Sequence, residues 1–179
     1  MADDTVTKFD GLAASAARYG DAALHNYSQI RSLAEAISTG FCRYLGDKRK
    51  CVFLVPPKGA WAAQEFGSGA FSVSGKGFLP LEPISFGLGV RVSKTGDWTR
   101  LVITAAKQGP DLDVTIEGGR DYSFRLPVDE EQLQEFFGIL YARLTDWFNE
   151  HADHFENGAY GGRDIGFDFT FDDADDVVT

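Results

Sequence analysis

From Asp21 onward, Leu24, Tyr27, Ile30, Leu33, Ala34, Ile37, Phe41, Tyr44 and Leu45 recur at steps of three and four residues, the spacing of one apolar face of a helix. Gly46 is placed to end it. Asp10 to Tyr19 reads as an Ala-rich helix of its own, with Gly20 and Asp21 supplying a break and a new N-cap. A second long helix is predicted from Asp129, an N-cap facing Gln132 as a capping box, with Val128 able to staple onto Leu133. Its stripe is Leu133, Phe136, Phe137, Leu140, Leu144, Trp147 and Phe148, and it runs to about His154. An aromatic row at this spacing buries area before it does anything else, so it is assigned to the core.

Between the helices the period falls to two. Cys51 to Val55 is continuously apolar, as in a central strand, and Pro56 and Pro57 stop it. Ile84, Phe86, Leu88, Val90 and Val92 alternate with Ser85, Gly87, Gly89, Arg91 and Ser93, so one face is buried and the other is polar or lies close to another backbone. Trp98 to Ala106, Leu112 to Glu117 and Tyr122 to Leu126 continue a meander. Turns at Thr95 and Gly96, at Lys107 to Asp111, and at Gly118 to Arg120 would set Val90 against Leu101, Ile103 against Val114, and Val114 against Phe124. The other face would then bring Arg91 opposite Arg100 and Asp113 opposite Arg125. The Gly-rich stretch from Lys58 to Pro83, with Trp61, Phe66, Phe71 and Phe78, predicts a short strand near Ala70 to Ser74 among long connections.

These elements predict an α+β fold: an antiparallel β-meander of about five or six strands with two long helices packed on one face, a two-layer sandwich. The chain divides into an N-terminal segment at 1–20, a single helix, meander, helix domain at 21–156, and an acidic C-terminal segment at 157–179 with a strand at 165–171. Its 179 residues suffice for one such domain, and 44% hydrophobic residues with 15 Phe, 6 Tyr and 3 Trp exclude global disorder. No apolar run approaches the about 18 residues that span a bilayer, and no leader pattern opens the chain, so no membrane and a cytoplasmic setting are expected. Cys42 and Cys51 read as small core residues suited to a reducing compartment.

Charge changes the picture at the C-terminus. Of the net charge of −10, residues 129–179 carry 14 Asp or Glu against only Arg143 and Arg163, leaving the remainder slightly basic. The basic cluster Arg43, Lys48, Arg49, Lys50 and Lys58 is too small for a duplex-binding face, and no direct nucleic-acid contact is expected. Ile165, Phe167, Phe169 and Phe171 alternate with Gly166, Asp168, Thr170 and Asp172, then Asp173, Asp175 and Asp176 follow. Phe167, Phe169, Phe171, Asp168, Asp172, Asp173, Asp175 and Asp176 therefore form a candidate surface for a basic protein partner.

Catalytic signatures fail on spacing. Gly69 to Lys76 has one residue too many for a phosphate loop and Gly77 where Ser or Thr is required, and Gly87 and Gly89 lie inside a strand rather than in a turn entering a helix. No serine sits in a nucleophile elbow. His151 and His154, with Glu150, Asp153 and Glu156 nearby, are a weak candidate metal pair, and neither a metal nor another cofactor is expected. The chain thus reads as a non-catalytic interaction protein, an adaptor, chaperone or inhibitor. The alternative is a small-ligand-binding protein or enzyme using the Gly-rich loop at 58–83 and a face lined by Arg91, Arg100, Arg125 and Trp61. The helix, meander, helix order is similar to that of small acidic bacterial secretion chaperones and adaptors, a likeness of fold alone.

Overall fold

The computed structural model describes residues 5–158 and 168–171. Helix α1 (Lys8–Leu45) leads into β1 (Val52–Val55), then a short 3-10 turn at Gly67–Ala70. Four strands follow, β2 (Ile84–Arg91), β3 (Asp97–Gln108), β4 (Asp111–Ile116) and β5 (Asp121–Arg125), before α2 (Glu130–Glu156) and β6 (Asp168–Phe171). All six strands join one antiparallel sheet in the order β1-β2-β3-β4-β5, with β6 paired to β3. Both helices pack on one face of it, giving the expected α+β sandwich.

The break expected at Gly20 is absent: α1 runs unbroken for 38 residues. Thr7 is its N-cap, accepting from the Asp10 amide, while the Asp10 carboxylate accepts from the Thr7 amide at 2.7 Å. The Thr7 hydroxyl, with the Thr7 amide beside it, donates to the Asp10 carboxylate and holds it below its usual range. The cap starts the helix at Lys8, two residues before the expected Asp10, and a single Gly within a helix costs only about 1 kcal/mol. Gly46, at φ +75°, ends α1 as predicted.

The core lies between the helices and the sheet. Ile30, Leu33, Ile37 and Phe41 from α1 meet Phe86, Leu88, Leu101, Ile103, Val114 and Phe124 from the strands and Phe136, Phe137 and Leu140 from α2. Phe136 packs edge-on to Phe124 and against Tyr122. The Tyr122 hydroxyl donates to Glu135 at 2.7 Å, and burial beside that carboxylate pushes its pKa up to about 12. The helices cross where the Phe137 ring lies over Gly40.

Every hairpin slips by two residues from the expected register. Leu88 pairs with Leu101, Ile103 with Ile116, and Val114 with Tyr122. The β3–β4 ladder runs on to Gln108 and Asp111, so the turn is only Gly109 and Pro110, with Gly109 at φ +58°. An even slip keeps each side chain on its face, and the apolar assignment survives while the pairs change. β1 is an edge strand and not a central one. It reads as continuously apolar because its outer face is also covered: Val55 is fully buried, and Phe53 packs against Trp98. The strand expected near Ala70 to Ser74 is a single bridge between Phe71 and Phe86, with Ala70, Phe71 and Val73 buried in the core.

The capping box at α2 is half formed. The Asp129 carboxylate accepts from the Gln132 amide at 2.9 Å, but the Gln132 side chain turns to β5, accepting from Arg125 N and donating to Arg125 O. Cys42 and Cys51, expected as separate thiols, are joined in a disulfide that ties the end of α1 to the start of β1. The Cys51 amide also donates to Cys42 Sγ.

Two outcomes test this packing. A Cβ at Gly40 would stand 2.5 Å from the Phe137 ring, whereas Gly11 and Gly20 have nothing within 4 Å. Gly40→Ala should therefore destabilise, overpacking at about 1–3 kcal/mol outweighing the helix gain, while Gly11→Ala and Gly20→Ala should be neutral or stabilising in urea titrations. Replacing Cys42 and Cys51 together by Ala should remove about 2–3 kcal/mol, the loop-closure contribution of so short a ring. A wild-type midpoint that ignores reductant would contradict that.

Candidate functional site

The outer face of the sheet, opposite the helices, holds a polar cluster built on Arg100, Trp61 and Asp168. Gly89 on β2 pairs with Arg100 on β3, and Arg100 pairs in turn with Asp168 on β6. Gly89 presents no side chain, so the connection after β1 folds back flat over it: a Cβ there would meet the Trp61 ring at 2.9 Å. Gly87 is equally tight, against the Val55 and Pro56 carbonyls. The expectation that this glycine face approaches another backbone is met by residues 55–61.

Arg100 is the centre of this arrangement. One guanidinium nitrogen donates to the carbonyls of Pro56 (2.9 Å) and Gly59 (3.0 Å), and the other donates to the Asp168 carboxylate at 2.6 Å. The guanidinium lies 5.6 Å from the Trp61 ring centre, and Trp61 Nε1 donates to the same Asp168 oxygen atom at 3.1 Å. A planar fork with several fixed donors suits this task in a way a lysine would not. On the helix side of β6, the Thr99 hydroxyl donates to the Asp168 carbonyl, and the Phe169 ring packs against Trp147 and Phe148 of α2.

Two sequence-predicted groups thus meet in one place: Arg100 and Trp61 from the proposed ligand face, and Asp168 from the proposed partner surface. Their charges answer one another. Arg91 does not join them; it pairs with Trp98 in the ladder and its guanidinium binds Asp47. The predicted contact of Arg91 with Arg100 is lost to the register slip. Arg125 pairs with Asp111, not Asp113, and Asp111 pairs with Gln108. That row is eight residues along β3 from Arg100, roughly 26 Å away. A cleft of about 350 Å³ opens beside Arg100, walled by Lys58, Glu117, Arg143 and Asp168. It mixes both signs of charge and holds no nucleophile paired with a base.

His151 directs Nδ1 to the Trp147 carbonyl at 2.7 Å and stacks on that indole, with the His154 ring centre 6.5 Å away. Among the described residues no group of three His, Cys, Asp or Glu gathers as metal ligands would. Phe167, Asp172, Asp173, Asp175 and Asp176 lie outside the described residues, and Phe171 pairs in the ladder with Asp97. No helix among the described residues is long and apolar enough to cross a membrane.

Sequence reasoning missed the pairing of Asp47 with Arg91 and the contact of α1 with the Gly-rich loop, where the Leu81 amide donates to the Tyr19 hydroxyl at 2.7 Å and Phe78 stacks on its ring. Only the aromatic at the tip of that loop signals the second. Compared with protein-family models, curated proteins and solved structures, the chain matches none.

The arrangement predicts that Arg100 holds β6 in place. Arg100→Met keeps the aliphatic stem and removes three hydrogen bonds, two of them to backbone carbonyls. It should cost about 1.5–3 kcal/mol and speed amide exchange at Thr170 and Phe171 well beyond the rest of the sheet. Unchanged exchange there would assign the docking to Phe169 alone.

Proposed function

We propose that the protein is a non-catalytic interaction module, an adaptor, chaperone or inhibitor, that holds its acidic C-terminal residues toward a basic surface of a partner protein. One observation carries the reading. β6 is latched to β3 through Arg100 and Asp168, so the stretch beginning at Asp172 is tethered to a rigid body and not to a loose linker. This narrows the recognition set. Asp168 and Phe169 are spent on the protein's own fold, which leaves Asp172, Asp173, Asp175 and Asp176 to meet the partner. Carboxylates that steer a basic partner raise association rates more than they raise affinity.

The ligand-binding alternative loses its main donors, since Arg91 and Arg100 are both paired within the chain. The expectation of a cytosolic setting rested partly on free thiols and loses that support, because a lasting disulfide belongs to an oxidising compartment.

The test compares the full chain with one ending at Phe171, which keeps β6, as bait in extracts of the native host. For a partner that the full chain retains, replacing Asp172, Asp173, Asp175 and Asp176 by Asn should slow association and flatten its salt dependence, with folding stability changed by less than about 0.5 kcal/mol. Unchanged association with every partner would make the acidic stretch a solubility device.

A further inference from the structure

The basic cluster of the sequence takes no part in the Arg100 latch. Arg43 stands in the last turn of α1, and Lys48, Arg49 and Lys50 fill the loop that leads into β1. That loop is fixed in place. The disulfide of Cys42 with Cys51 closes it at its ends, and within it the Asp47 carboxylate accepts from the Arg49 amide at 3.1 Å and binds the Arg91 guanidinium. The Arg49 side chain then crosses to the Lys94 carbonyl in the β2–β3 hairpin. Lys48, Arg49 and Lys94 therefore share one rim of the sheet, all three exposed. Lys50 has Glu65 as its partner, and the Asp97 carboxylate at the foot of the hairpin takes the Thr95 hydroxyl at 3.3 Å. Among the described residues no carboxylate lies within ion-pair distance of Lys48, Arg49 or Lys94. Like charges fixed on one rim repel, so an anion laid across them relieves a cost that the fold already carries.

β6 ends at the same rim. Phe171 pairs with Asp97, and at that end of the sheet β6, β3, β2 and β1 lie side by side, with Trp98 opposite Arg91 and Val90 opposite Val52. Three strand spacings separate β6 from β1, roughly 14 Å. Asp172, Asp173, Asp175 and Asp176 are the next charges in the sequence, and five residues of extended chain span at most roughly 17 Å. The run is thus long enough to pass from Phe171 over Lys94 to Lys48 and Arg49.

We propose that this rim is the docking site of the chain's own acidic run, Asp172 to Asp176, which a basic partner must displace. Length and charge select this occupant. An exposed ion pair is weak by itself, but a run joined to Phe171 meets the rim at the high effective concentration that a short tether gives. Several weak pairs then suffice within one chain where they would fail between two. The consequence rests on the function proposed above, since the carboxylates offered to a partner are the ones that the rim holds.

The test uses the full chain and reads the amide shifts of Lys48, Arg49 and Lys94. At low salt these should differ between the wild type and the variant Asp172→Asn, Asp173→Asn, Asp175→Asn, Asp176→Asn. At about 1 M salt, where the screening length is about 3 Å, the difference should vanish. A synthetic peptide of residues 172–179, added to that variant, should move the same amides toward their wild-type positions and leave Lys58 and Lys107 where they are. Lys48→Gln, Arg49→Gln and Lys94→Gln together should abolish this response. Hexalysine added to the wild type, in place of a basic partner, should carry the shifts to those of the Asn variant. Identical shifts in the two chains at low salt overturn the proposal. So does a difference that fades on dilution, which would seat the run on a second copy, or a peptide response spread over every lysine. None of these measurements uses a partner from the host, so their failure leaves the function proposed above standing, and a chain that retains no partner leaves the docking standing.

Discussion

The Arg100 guanidinium is the point on which the outer half of the structure depends. A sheet with helices on one face leaves the other to solvent, and here that face carries Val55, Phe53 and Trp98, which require cover. Residues 56–61 lie over it, with the Trp61 ring above Gly89, and β6 extends the sheet beside β3. Arg100 joins them, with two bonds to the carbonyls of the loop and one to the carboxylate of the strand. Its side chain is only 9% exposed, against 54% for Asp168. The pair is therefore half-desolvated, and the carbonyl contacts are what make burial of the cation tolerable. Gly89 is the complementary requirement, since any side chain there would lift Trp61 off the sheet.

That dependence explains which parts of the fold were legible in the sequence. Helical and strand periodicity assign faces, because a burial pattern reports which side of an element is dry. The inner faces of β2 to β5 and the middle of both helical stripes were assigned correctly, while Leu24, at 56% exposed, falls off the buried side. Periodicity of two is blind to slips by two. The register of all three hairpins needed the turn geometry, and Gly109 with Pro110 closes β3 onto β4 more tightly than the apolar pairs alone suggest. The continuity of α1 was hidden for a related reason: Gly20 and Asp21 form a good local stop signal, and it is overridden because the seam on either side keeps one phase. The disulfide could not be read at all, since nine residues of separation bring two cysteines together only if the intervening chain reverses.

The candidate site was legible in its residues but not in their roles. Arg100, Trp61, Asp168 and Phe169 were each singled out by residue type, as charges and aromatics beyond what a plain core requires. Composition cannot tell a group aimed at a partner from one aimed at the same chain. The alternation of Asp168 with Phe169 suits either, and the choice is made by β3, whose twelve residues outrun the six of β4 and leave Asp97 to Arg100 with an unpaired edge. An open edge beside an alternating strand of the same chain is filled at high effective concentration, before any external strand can compete.

The same geometry sets the electrostatic setting of the end of β6. Phe171 pairs with Asp97, so β6 finishes at the β2–β3 hairpin. Arg49 donates to the Lys94 carbonyl in that hairpin, and the segment from Asp47 to Lys50 leads from there into β1. Lys50 is answered by Glu65 and Arg91 by Asp47. Lys48, Arg49 and Lys94 thus stand at the end of the sheet where β6 finishes. At physiological salt, exposed charges more than about 8 Å apart are largely screened. The field of these cations is therefore confined to the rim of the sheet where β6 ends, and the Arg100 and Asp168 pair, three residues back along the strands and roughly 10 Å away, is held by its own hydrogen bonds.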